Sequence, residues 1–313
     1  MTALSRSAVT RGPGCVYWNA GASQIALPSF GGISAEVDVK EFEVKTDVDG
    51  TISRRTSDVE GKIVWTPKGI MTADVMNVLY PAAYRNPVLG SSIHGSADVP
   101  VLVHSVAGQK VTFHACAITK MPTLNLSADK ELYGQTEITA VRGNTLEWSN
   151  AAALYTRASG AYSAPAVAAS GIVTQQYSAA WGDVLTSIYT ETGWQLDFSL
   201  QLTPDTIDGY GTNDYLLAGV GVIAKCQPKN LSESIIDELK VQGSGAGIGT
   251  ERRRGKNLVI SGTGITVTLY DAVLQKGPLR WNTTTVRAGE LAWTASRVET
   301  TGVYGALFAI ALT

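Results

Sequence analysis

The sequence predicts a mainly β protein in which one unit of strands plus a helix is present twice in tandem. Three observations lead there. An alternating, strand-like stretch occurs at two widely separated places. A Pro-Lys dipeptide followed by a helical pattern occurs downstream of each, and a strand, loop and returning strand close each copy. One matching block would mean little; three in the same order with similar spacing mark an internal duplication.

The first block covers 35–50, AEVDVKEFEVKTDVDG, and 194–209, WQLDFSLQLTPDTIDG. In the second copy Trp194, Leu196, Phe198, Leu200 and Leu202 alternate with polar residues, as in a half-buried strand. In the first, Val37 and Val39 share one phase while Phe42 and Val44 share the other, so a bulge near Lys40 and Glu41 is expected. Both copies reach Asp-Gly, at Asp49-Gly50 and Asp208-Gly209, a turn signal opening a polar stretch of about ten residues.

The second block pairs 61–80, GKIVWTPKGIMTADVMNVLY, with 221–240, GVIAKCQPKNLSESIIDELK, with one inserted residue. Each reads as a short strand, then Pro67-Lys68 or Pro228-Lys229, then a helix. The second helix opens on a capping box, Asn230 with Glu233, and presents Leu231, Ile235, Ile236 and Leu239 on one face. Val75, Val78 and Leu79 fill the same places in the first, so both helices should lie against a sheet.

The third block sets 117–142 beside 273–297. Lys120-Met121-Pro122 corresponds to Lys276-Gly277-Pro278, and Gly134 through Arg142 to Gly289 through Arg297. The copies therefore occupy about 1–150 and 181–313, and the Ala- and Ser-rich stretch 151–180 between them reads as a linker lying along a surface.

Composition narrows the function. The 313 residues are 44% hydrophobic and only 17% charged, enough to bury a large core and suggestive of a surface covered by neighbours. Lys plus Arg 25 against Asp plus Glu 27 leaves a net charge of −2, which argues against a duplex-DNA reader. Cys15, Cys116 and Cys226 are odd in number and widely spaced, so no disulfide framework is expected. The opening MTALSRSAVT lacks the apolar run of a signal peptide, and the longest apolar stretch, 306–312, is far too short for a membrane-spanning helix.

Catalytic signatures are missing. His94, His104 and His114 are the only histidines; His114 and Cys116 would share a strand face, but they read as sheet residues rather than metal ligands. Asp47-Val48-Asp49-Gly50 faintly echoes a calcium loop without its remaining ligands and reads as a turn. In 243–257, GSGAGIGTERRRGKN, Ile248 stands where a dinucleotide-binding loop needs its third Gly. Asn257 replaces the Ser or Thr of a phosphate loop. The segment reads as a mobile basic loop whose Arg252, Arg253, Arg254 and Lys256 could meet a phosphate backbone or an acidic neighbour. The sequons at Asn125, Asn230 and Asn282 carry no weight without a secretory route. No enzyme activity, cofactor or metal is expected.

This unit resembles the tail tube, or major tail, proteins of long-tailed bacteriophages. The residues that carry the resemblance are the strand pair with its polar loop (36–65), the Pro-Lys helix segment (67–80) and the closing hairpin (118–142), with a similar pattern in the second copy. The resemblance implies an antiparallel β-sandwich or barrel flanked by one α-helix, a fold shared with the type VI secretion tube. A chain with two such domains would assemble as a trimer, forming a pseudo-hexameric ring that stacks into a tube for DNA delivery. It also implies a virion location after synthesis in the host cytoplasm, a non-contractile tail, and partners such as the tape measure, terminator and distal hub proteins.

By the same resemblance, the stretches 46–60 and 204–217 would reach the next ring through Asp47, Asp49, Arg54, Arg55, Asp58 and Glu60, and through Asp205, Asp208 and Asp214. DNA must pass such a lumen without binding, which favours carboxylates over basic clusters. Strand alternation makes Glu36, Asp38 and Asp197 the lumen-facing candidates. Two other readings stay open. A terminator, distal hub or baseplate ring of the same fold would close one ring and stop. A carbohydrate-binding adhesin would use the Trp and Tyr residues.

Overall fold

The structure is a computed structural model that describes residues 14–21, 23–46, 50–94, 98–127, 129–141, 154–165, 177–182, 185–207, 211–229, 255–276, 279–281, 286–297, 299–300 and 303–312. The first half contains β1 (Gly14–Trp18), β2 (Ile25–Thr46), β3 (Gly50–Pro67), α1 (Ala73–Leu79), α2 (Ala82–Arg85) and β4 (Val101–Ser105). It continues with β5 (Gln109–Phe113), β6 (Cys116–Lys120), β7 (Leu124–Leu126), β8 (Thr136–Ala140) and β9 (Tyr155–Ser159). The second half contains β10 (Ser178–Trp181), β11 (Leu185–Ile188), β12 (Thr190–Ile207), β13 (Gly211–Pro228), β14 (Lys256–Gly262) and β15 (Ile265–Lys276). It ends with β16 (Leu279–Trp281), β17 (Val286–Ala288), β18 (Leu291–Thr294), β19 (Glu299–Thr300), β20 (Val303–Tyr304) and β21 (Phe308–Leu312).

The protein is mainly β, with two large antiparallel sheets. One runs β6-β8-β3-β2-β1-β4-β5-β9, the other β11-β10-β14-β15-β18-β13-β12-β7 with β21 added to β15. In the first, β5 leads into β6 across His114 and Ala115, so the chain joins β5, next to one edge, to β6 at the other. In the second, β15 continues unbroken and pairs with β14, β18 and β21.

The duplication is visible in the pairing register. The hairpin β2–β3 runs from Ser29↔Pro67 to Thr46↔Gly50, and β12–β13 from Thr190↔Pro228 to Ile207↔Gly211. All three register shifts recur at matching places: Phe30/Ile33 with Thr190/Trp194, Lys40/Glu41 with Gln201/Leu202, and Val44/Lys45 with Asp205/Thr206. The irregularity expected near Lys40 and Glu41 is present, but the extra residue is Ser57 on the facing strand, so β2 keeps its own alternation. The register places Ala35 opposite Ile63 and Leu196 opposite Ala224, so Ala35 corresponds to Leu196 rather than to Trp194, two residues along from the sequence match.

Backbone specials repeat as well. Gly108 (φ 80°) and Gly264 (φ 82°) turn the β5 and β15 hairpins, where the left-handed region favours glycine. Ala115 (φ 47°) and Asp271 (φ 44°), uncommon for residues with a Cβ, occupy the same place in each copy.

The polar stretches expected to be long loops are strand for most of their length, in arms eighteen residues long on β3, β12 and β13. Toward the tip the β12 strand of the second arm is exposed at four successive residues, Thr203, Pro204, Asp205 and Thr206, while β13 beside it is partly covered, with Thr212 buried. What is buried there is polar, Asp58 and Thr212, so no hydrophobic alternation reveals the pairing. The stretch 151–180 is also not wholly linker: β9 pairs with β5, and Tyr155 packs on Phe113 with ring centroids 5.9 Å apart.

The α1 helix buries Val75, Val78 and Leu79 as expected, together with Met76. Thr72 caps it, its hydroxyl accepting from the Val75 N–H at 3.3 Å. The second-copy helix at 230–240 lies outside the described residues. One buried cluster runs through both copies, with Trp65, Trp181, Trp194 and Trp293 among its largest members. Tyr80 at the end of α1 meets Phe198 of β12 at 4.9 Å, and Phe198 meets Phe308 of β21 at 5.1 Å, so aromatic packing crosses from one copy to the other.

Candidate functional site: the junction of the two copies

The junction has three parts. The first is a polar crossing of the two hairpin arms. Asp58 on β3 is 8% exposed, and its carboxylate accepts the Thr212 backbone N–H at 2.9 Å and the Thr212 hydroxyl at 2.8 Å. Lys40, opposite Asp58 on β2, donates to the same carboxylate at 3.0 Å and lies 3.7 Å from Glu60. The Tyr215 hydroxyl donates to Glu60 at 2.6 Å. Burial alone would raise the Asp58 pKa, but Thr212 and Lys40 outweigh it and hold the carboxyl below its ordinary value. Lys40 is raised in turn, chiefly by its hydrogen bond to Asp58. Burial and the Glu60 bond push the Tyr215 hydroxyl up.

The second part is backbone pairing. The segment before β4 lies along β13: Gly90 N–H donates to the Leu217 carbonyl, Ile93 N–H to that of Tyr215, and Leu217 N–H to that of Ser91, at 2.8–3.0 Å. Beside it His94 Nδ1 lies 2.7 Å from Asp214. Burial opposes the Asp214 charge, but bonds from Ser92, His94 and the Tyr215 N–H lower its pKa overall.

The third part is strand exchange between the copies. β7 leaves the first sheet and pairs antiparallel with the edge of β12: Trp194↔Leu126, Gln195↔Asn125, Leu196↔Leu124. Leu124 and Leu126 are fully buried there. Asp197 accepts from Thr123 at 3.2 Å and from Lys225 at 2.7 Å, and these bonds, with Gln195, lower its pKa against the opposing effect of burial. Gly193, at φ 77°, lets the backbones approach: a Cβ there would press on the Leu126 carbonyl and lie 2.7 Å from Ser127 Cα.

The residues expected to contact a neighbouring ring fall differently. Asp58, Glu60 and Asp214 lie in strands and are held by partners of the same chain, because the two arms cross where those carboxylates stand. Asp205 is exposed on β12 opposite Asp214. Arg54 and Arg55 lie on β3 opposite Glu43 and Phe42. Asp47, Asp49 and Asp208 lie outside the described residues. Of the lumen candidates, Glu36 and Asp38 are exposed on β2, and Glu36 accepts from Ser34 at 2.8 Å. Asp197 occupies the register place of Glu36 but belongs to the junction.

In the basic segment, Arg252, Arg253 and Arg254 lie outside the described residues. Lys256 is not in a loop: it opens β14, with its Nζ 6.0 Å above the Trp181 ring. His104 lies 3.3 Å from the Gly160 carbonyl. All three cysteines are free and buried. Among the described residues no cluster of three or more His, Cys, Asp or Glu could hold a metal ion, and no helix is long and apolar enough to cross a membrane.

Thr212, Tyr215, His94, Thr123 and Gly193 had no local signal in the sequence, since each gains its role from a partner in the other copy. The arrangement holds the two copies together through buried charge-assisted hydrogen bonds and a strand of one added to the sheet of the other. The chain matches no protein-family model, and no curated protein matches it.

Proposed function

We propose that this chain is a structural virion protein that assembles as a trimer, with six repeated units around an axis, and stacks into the tail tube of a long-tailed phage. The observation that carries this reading is the register-level duplication: one chain holds two copies of one sheet unit, joined edge to edge by a strand of the first added to the second. A fused pair supplies half of the contacts of a pseudo-hexamer within each chain, which raises the effective concentration of the partners. Heterologous addition of this kind closes into rings when its rotation permits. The exposed acidic residues Glu36 and Asp38 suit a channel that DNA traverses without binding.

The test is negative-stain electron microscopy of the purified protein over a concentration series, with light scattering on the same samples. Stacked rings with a central channel, built from trimers, are expected. Discrete rings that never stack would overturn the tube in favour of a terminator or hub. A monomer at every concentration and in purified tails would overturn assembly altogether.

A further inference from the structure

The strand addition between the copies has a counterpart with no such partner among the described residues. In the first copy, β7 is one arm of a small hairpin, bridged at Leu124↔Tyr133, and its other edge pairs with β12. In the second copy, the equivalent connection between β15 and β18 forms the hairpin β16–β17, with Leu279↔Ala288 at the matching place. Leu279 and Trp281 are two apart, as Leu124 and Leu126 are; Leu279 follows Pro278 directly, whereas Thr123 separates Leu124 from Pro122, so it is the hairpin pairing that makes the two strands equivalent. Among the described residues β16 pairs only with β17.

The receiving edge is also duplicated. The β12 residues that take up β7, Trp194 to Leu196, correspond in register to Ile33, Ser34 and Ala35 of β2. There β2 pairs with β3 on one side, while β1 reaches only Ile25 to Pro28 on the other. Among the described residues no strand covers the edge at Ile33 to Ala35. Beside it lies an open groove of about 440 Å³ lined by Phe30, Gly31, Ile33, Ser34, Trp65 and Gln135. Phe30 is 53% exposed, and a Cβ on Gly31 would meet nothing within 4 Å; the next residue, Gly32, holds the register place of Gly193, the glycine pressed by β7 in the other copy.

From this asymmetry we infer that β16 of one chain adds to the open edge of β2 in a second copy, pairing Trp281 with Ile33, Arg280 with Ser34 and Leu279 with Ala35. A donor strand and an acceptor edge that each lack this partner among the described residues make the contact head to tail, the arrangement that closes into a ring when its rotation permits. The added strand covers a sheet edge that would otherwise be a liability. The inter-chain joint differs from the internal one in its polar crossing: Gly219 and Gly221 stand at the register places of Asp58 and Glu60, so no carboxylate is available there. Association between chains is therefore weaker than association between the copies and depends on concentration. This inference deepens the assembly reading above and rests on its premise that copies of the chain associate.

The test is the full-length double variant Ser34→Cys with Arg280→Cys, treated with a diamide oxidant at assembling concentration and run on a non-reducing gel. Residues directly opposite in an antiparallel pair have Cα atoms about 4.5–5.5 Å apart, within the separation a disulfide spans. A ladder of covalent multimers that either single variant fails to form is expected. Assembly without the ladder, a product cross-linked only within one chain, or a persistent monomer would each overturn the inference. Tubes that form without the introduced disulfide would leave the tube reading standing while this one falls; a ladder from rings that never stack would do the reverse.

Discussion

The Asp58 carboxylate accepts both the backbone N–H and the hydroxyl of Thr212, 154 residues further along the chain, at 2.9 and 2.8 Å. It ties the middle of one hairpin arm to the tip of the other. Because Asp58 and Thr212 are both buried, removing either partner leaves the other without water to replace it.

Asp58→Ala is expected to destabilise the monomer by about 1–3 kcal/mol, the cost of a buried unsatisfied donor. Thr212→Val, which keeps the backbone bond, should cost less. Thermal unfolding of both single variants and the double variant measures the coupling. Additive effects would show that the contact contributes nothing of its own.

Acid should act through the same carboxylates. Asp58, Asp197 and Asp214 have folded pKa values below their ordinary ones, so each contributes stability above its unfolded value and loses it as pH falls through the lower folded value. The melting temperature of the monomer should hold from pH 7 to about 5 and fall steeply below about pH 4. Changing all three to Asn should lower stability near neutrality and flatten that acid slope. An unchanged slope would assign acid unfolding to other groups.

Gly193 and Gly31 separate strain from contact. Both have positive φ, 77° and 82°, so replacement by Ala costs each about 1–2 kcal/mol in the backbone. Only Gly193 is also pressed by the β7 backbone, whereas Gly31 opens on empty space. Gly193→Ala should therefore lower the melting temperature of the monomer clearly more than Gly31→Ala, and equal losses would contradict the close approach of β7.

The cysteines should be silent in the folded chain. Burial pushes the Cys15 thiol up to about 11 and raises Cys116 and Cys226 further, leaving little thiolate at neutral pH. An aromatic disulfide reagent should titrate no thiol in native protein and all three in denaturant. Rapid labelling of any one in the native state would contradict its burial.

The sequence by itself determined the repeated unit, the amphipathic face of α1 and the closing hairpins. These follow from local periodicity, and the pairs Ile118↔Ile138 and Leu274↔Trp293 agree with the match of Lys120 to Lys276 and of Gly134 to Gly289. It set the hairpin correspondence two residues away from the structural one, because a slip of two keeps every side chain on the same face and leaves the pattern unchanged. Tertiary structure alone decided that the polar stretches pair as long arms, since backbone bonds and polar contacts such as that of Asp58 with Thr212 leave no hydrophobic trace. It also decided that Asp58 grips Thr212 and that β7 joins the other copy's sheet. A carboxylate's partner and a strand's edge are long-range choices, fixed by which surfaces meet when both copies bury their apolar faces in one core.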